Sequence, residues 1–90
     1  MYTIDTTKRF EKDFKKCIKR GLNIEELRTV IKLLRESGSL PQVYYPHKLQ
    51  GNFSGVWECH IKPDWLLIWQ QNDEELRLLM LRTGKHSDIF

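Results

Sequence analysis

The sequence predicts a small α+β domain, with two N-terminal helices packed on one face of a small antiparallel β-sheet. Three observations lead there. Apolar residues in the first part of the chain recur at helical spacing. From about Gly55 the pattern changes to short apolar runs separated by turn residues. And 90 residues suffice for one modest core, so residues 1–90 are expected to form a single domain.

Taken in order, Tyr2–Ile4 is a candidate N-terminal strand. Phe10, Phe14, Cys17 and Ile18 then fall at i, i+4, i+7 and i+8, the stripe of an amphipathic helix, and Gly21 supplies a C-terminal stop. Asn23 suits an N-cap, with Glu26 at the capping-box position, and the second helix buries Leu27, Val30, Ile31 and Leu34 before ending near Ser37-Gly38. So short a connection predicts a helical hairpin. Ser37 to Pro46 reads as a loop punctuated by Gly38, Pro41 and Pro46. Three strands follow: Val56–Ile61, Trp65–Gln70 and Leu76–Arg82. Lys62-Pro63-Asp64 makes the first turn, since proline pre-sets φ there, and Asn72-Asp73-Glu74 the second.

Composition narrows the function. Hydrophobic residues at 40% and charged residues at 30% are ordinary for a globular protein, and a net charge of +3 favours an anionic partner. No apolar run approaches the roughly 20 residues of a membrane span, and the N-terminus lacks a signal-peptide pattern, so a cytoplasmic protein without membrane contact is expected. Cys17 and Cys59 form no metal-type pair and read as reduced thiols.

The three histidines all lie in the second half, each inside a polar and aromatic cluster. These are His47-Lys48-Leu49-Gln50-Gly51, then Glu58-Cys59-His60-Ile61-Lys62-Pro63-Asp64-Trp65, then Arg82 to Phe90. His60 ends one strand, Asp64 and Trp65 begin its hairpin partner, and Arg82 ends the antiparallel neighbour, so these groups can meet at one end of the sheet. Gly84 frees the chain to bring His86 and Phe90 back, and His47 needs only a local bend. Imidazoles ordinarily titrate near pH 6.5, so with a carboxylate and an arginine they are the parts of an acid–base site for a phosphodiester. Alternation places Arg82 on the side of Leu76, Leu78 and Met80, and a strand end must project it past the core. The tryptophans Trp57, Trp65 and Trp69 are by default core or edge aromatics, and Arg82 can simply pair with Asp64. Zinc is the chemical competitor, but the usual pair of ligands at short spacing is missing; no metal or other cofactor is expected.

In the order His47–Gly51, His60–Ile68 and Arg82–His86, with Phe90 last, these fragments resemble the YafQ-type toxins of the RelE superfamily, the poison half of bacterial type II toxin–antitoxin pairs. The resemblance spans nearly the whole chain. It implies a RelE-like microbial RNase fold and a ribosome-dependent endoribonuclease that cuts translated messenger RNA. It places catalytic residues at His47, His60, Asp64, Arg82 and His86, and substrate contacts at Trp65, Phe90, Lys48 and Lys85. Trp57 departs from the pattern, since relatives commonly carry arginine near there. The chemistry asked for is attack of a 2′-hydroxyl on the adjacent phosphate, with Arg82 on the phosphate, His86 as the acid and either His60 or Asp64 as the base. Trp65 and Phe90 would stack on bases, and the lysines and arginines of the first helix would face ribosomal RNA. The partners implied are the translating ribosome, messenger RNA and a cognate antitoxin of the DinJ or RelB type, through which the complex binds its operator DNA. A non-catalytic RNA- or ribosome-binding module, or a gyrase-inhibiting toxin on the same fold, are the alternatives.

Overall fold

The computed structural model describes residues 1–50 and 55–90, so Gly51 of the His47–Gly51 motif falls outside the described residues. The elements run β1 (Thr3–Thr6), α1 (Lys8–Lys19), α2 (Ile24–Ser37), a 3₁₀ turn (Gln42–Tyr44), β2 (His47–Lys48), β3 (Val56–Lys62), β4 (Trp65–Asn72), β5 (Arg77–Gly84) and α3 (His86–Ile89). They form one sheet in the order β1-β5-β4-β3-β2. β2 to β5 pair antiparallel, as the turn signals predict, whereas β1 runs parallel to β5. The sheet is therefore mixed. Parallel pairing needs a long crossover, and here the two helices and the whole meander lie between the paired strands. His47, expected in a loop, begins a short edge strand.

Local chemistry sets the helix ends. Thr7 caps α1, its Oγ1 accepting from the Phe10 amide at 2.9 Å. Asn23 caps α2 through the Glu25 amide at 3.1 Å, while the Glu26 carboxylate goes to Lys62 of β3 at 2.9 Å. Gly38 ends α2 in the left-handed region (φ +70°), donating its N–H to the Leu34 carbonyl. A Cβ there would also collide with the Tyr2 ring.

One face of the sheet takes both helices. Phe10, Cys17, Leu27, Val30 and Leu34 pack on Cys59, Ile61, Trp65, Leu67, Trp69, Leu78 and Met80. Both cysteines are free and buried, and burial, helped by the nearby Glu58 charge, pushes the Cys59 thiol up to about 12. Ile18 does not join the stripe and is 52% exposed, because it lies about 80° round the helix from Phe10. Asp13 is buried in α1 instead. Among the described residues no helix is long and apolar enough to cross a membrane.

Candidate active site

Because Cys59, Ile61, Leu67 and Trp69 face the helices, Glu58, His60, Leu66 and Ile68 project from the opposite, open face. Strand register then defines two rows across it. One runs His47, Glu58, Ile68, Arg82, and the next His60, Leu66, Gly84. At roughly 4.8 Å per strand, the backbones at His47 and Arg82 stand about 14 Å apart.

Arg82 reaches this face through an irregularity in the ladder. Trp69 pairs with Met80 but Ile68 pairs with Arg82, so Leu81 is an extra residue in β5. That bulge cancels the alternation that would have put Arg82 beside Leu78 and Met80. The same segment runs past the end of β1, whose register stops at Thr6 and Met80. Asp13 of α1 fills the open edge there. Its Oδ2 accepts from Arg82 Nε at 2.7 Å and from the Thr83 amide at 3.2 Å, and its Oδ1 accepts from Arg82 Nη2 at 3.3 Å. The expected Asp64 partner is replaced by a carboxylate on the first helix. Arg82 Nη2 also donates to the Asp88 carbonyl at 3.3 Å, while Nη1 has no protein partner among the described residues.

The turn and the C-terminal helix meet beside this group. The His86 amide donates to Asp64 Oδ1 at 3.4 Å. His86 and Phe90 rings lie 5.2 Å apart, tilted by 39°, and Phe90 is 62% exposed. Asp88 ties α3 to α1 by accepting from Arg20 and, at 3.4 Å, from Lys16. The Arg20 hydrogen bond, the Lys85 amide and Lys16 hold its carboxyl down at about 2. Lys85 itself stands exposed at the start of α3. Lys16 and Arg20 are thus engaged within the chain.

On the other side, His60 Nδ1 lies 3.2 Å from the Pro63 carbonyl. A carbonyl only accepts, so in the neutral ring Nδ1 carries the proton and the Nε2 lone pair is free. His47 is held at both nitrogens, Nδ1 at 3.0 Å from the Tyr45 carbonyl and Nε2 at 3.3 Å from Glu58 Oε1. Tyr45 sits edge-on to His60, with centroids 6.1 Å apart.

His47, His60, Asp64, Arg82, His86 and Phe90 therefore share one end of the open face, or its rim. Two expected substrate contacts do not. Trp65 is 3% exposed, its ring is part of the core and its Nε1 donates to Thr83 Oγ1 at 3.0 Å, so neither face can stack on a base. Lys48 follows His47 on a strand and must point to the opposite face, where its ammonium lies 5.5 Å over the Trp57 ring. Asp13, Glu58, Tyr45 and Asp88 are the supporting groups that sequence reasoning missed. Asp13 alone left a signal, a carboxylate within one turn of the buried stripe. The zinc alternative needs three converging ligands, and among the described residues no group of three His, Cys, Asp or Glu side chains is placed to hold a metal.

Comparison with known proteins agrees over the full length. Residues 2–90 match the family model described as the bacterial toxin of a type II toxin–antitoxin system, YafQ. The mRNA interferase toxin YafQ of Escherichia coli K12 is 36% identical over 88 residues, covering 97% of this chain and 94% of the relative. YafQ in the E. coli DinJ–YafQ complex superposes with a TM-score of 0.92 at 34% identity, covering 100% of this chain and 99% of that one. A metal-bound toxin from Helicobacter pylori gives 0.91 at 39% identity, with both chains covered in full.

Proposed function

The chain belongs to the YafQ family of bacterial type II toxins and is an mRNA interferase, and from that premise we propose that it cuts messenger RNA on the translating ribosome by metal-independent acid–base catalysis. The observation that supports the mechanism is the His60 ring, whose Nε2 has no partner among the described residues, at one side of the open face, with His86, its amide on the Asp64 carboxylate, at the other. His60 takes the proton of the 2′-hydroxyl, and the 2′-oxygen forms its bond to phosphorus. The bond from phosphorus to the 5′-oxygen breaks, and His86 protonates that leaving oxygen. The products are a 2′,3′-cyclic phosphate and a 5′-hydroxyl. Arg82 meets the phosphate with the nitrogen that Asp13 leaves free, and its bond to Asp13 fixes the plane of the fork. Asp64 orients His86 rather than taking the proton, and His47, with Glu58 behind it, adds positive charge when protonated. Phe90 provides an exposed ring for a base.

Its partner is a cognate antitoxin of the kind seen in the DinJ–YafQ complexes, whose disordered segment folds on binding and whose complex with the toxin binds operator DNA through the antitoxin. The toxin works in the cytoplasm, where ribosomes are. Induction for a few minutes followed by primer extension should show in-frame cuts in translated messages, and none in the same transcript lacking its start codon. Equal cutting of both transcripts would refute ribosome dependence, and growth arrest without cuts would favour the binding-module alternative.

A further inference from the structure

We infer that the cleft beside His60, on the far side from α3, is a nucleobase subsite in which Tyr45 stacks on a base flanking the scissile phosphate. This rests on the endoribonuclease reading above. The cleft encloses about 830 Å³ and is walled by Val43, Tyr45, His47, His60 and Pro63. Its origin is the early end of β2, which pairs only from His47 to Lys48. The Leu49 amide donates to the Val56 carbonyl, so residues of the same parity as Val56 direct their N–H and C=O groups toward β2. His60 is one of them. Continued pairing would set Tyr45 opposite it, but Tyr45 leaves the strand in the left-handed region (φ 50°) and gives its own N–H to the Gln42 carbonyl. The His60 peptide groups thus face the gap where β2 would have paired.

Tyr45 is the second observation. Its ring is 70% exposed, and left-handed backbone is uncommon for so bulky a residue. Core packing does not explain an exposed ring on a strained backbone, whereas a ligand that covers the ring does. A nucleobase fits each wall: an apolar face for Tyr45 and Val43, and an edge whose adjacent acceptor and donor match a peptide N–H and C=O. Continuity with the free Nε2 of His60 makes that base a neighbour of the reacting 2′-hydroxyl.

The test uses the full-length toxin on ribosomes programmed with a defined message that carries 2-aminopurine in turn on each side of the cut. Tyr45→Asn removes the ring but suits the left-handed backbone, so the fold is preserved, and Tyr45→Phe keeps the ring. With a cleavage-inactive His86→Ala background, binding should quench one 2-aminopurine position, and Tyr45→Asn but not Tyr45→Phe should abolish that quench. In the active background Tyr45→Asn should lower kcat/KM by roughly 5- to 150-fold, the range for one stacked base, and redistribute the cuts among codons. An active wild type with no quench at either position, or unchanged kcat/KM and cut sites in Tyr45→Asn, overturns the subsite while leaving the nuclease reading intact. Weakened antitoxin binding by Tyr45→Asn with unchanged cleavage would assign the cleft to the antitoxin instead. A wild type that cuts no message on any ribosome would overturn the nuclease reading, and the subsite with it.

Discussion

The two sides of the open face are held by different physical means. On the α3 side, charge-assisted bonds tie Arg82 and the α3 segment to the first helix and its C-cap: Asp13 grips Arg82 and the Thr83 amide, and Asp88 is gripped by Arg20 and Lys16. On the side of the 3₁₀ turn, His60 rests on a single carbonyl contact and His47 on a carbonyl and the Glu58 carboxylate, beside an open cleft walled by Val43 and Tyr45. The difference teaches a division of labour. Arg82 and the α3 segment are braced by α1, whereas the His60 side adjoins an open cleft.

The largest effect that sharpens this contrast is on catalysis. His86→Ala should lower single-turnover cleavage by about 10²–10⁴-fold, with unchanged folding and antitoxin binding. His47→Ala, on the looser side, should cost only about tenfold. Equal losses for both would remove the asymmetry. Leu67→Ala is the opposing control. It empties a fully buried core position, should cost about 2–5 kcal/mol in urea unfolding and should leave the rate per folded molecule near wild type.

Next comes the brace itself. Asp13→Ala leaves Arg82 and the Thr83 amide without their acceptor. It should destabilise the domain by about 1–3 kcal/mol, the scale of hydrogen bonds to a charged group, and should reduce cleavage because the guanidinium is no longer oriented. Wild-type stability and rate together would show that α1 braces nothing. Arg82→Ala, which a solvent-facing strand end would tolerate, should share the stability loss.

The smallest effect is on pH dependence. Asp88 is held down at about 2, below the unfolded value near 3.9, chiefly by Arg20. A depressed carboxylate stabilises the fold above its unfolded pKa, and that contribution is lost as the pH falls from about 4 toward 2. Since Asp88 anchors only α3, acid should loosen the C-terminal segment before the core. NMR shifts of His86 and Phe90 should move in this window in the wild type and move less across it in Asp88→Asn, where Asp64 still contacts the His86 amide. Identical titrations in the two proteins would remove Asp88 as the anchor.

Much of the architecture is legible in the chain because its causes are local. Asn23 and Gly38 mark helix ends through bonds that span at most a few residues, and the strand boundaries follow from period two and the Pro63-Asp64 turn. The histidine clusters are also legible, and the end of the sheet that gathers them follows from hairpin connectivity. Trp65 and Lys48 were misplaced for one reason: which face of a strand meets the helices must be known before any of its residues can be assigned to a site.

The sequence by itself determined the α+β class, the two amphipathic helices, the meander and the end of the sheet at which the histidine clusters gather. Each is written in spacing, caps and turns. Tertiary structure alone decided the parallel docking of β1 on β5, the bulge at Leu81 that turns Arg82 away from the core, and the partner that Arg82 takes. Arg82 and Asp13 stand 69 positions apart, and the gap beside His60 exists only because β2 stops short. No local propensity encodes such meetings. They arise from packing a helix against a free strand edge, where an unpaired amide must find an acceptor and the nearest carboxylate supplies it.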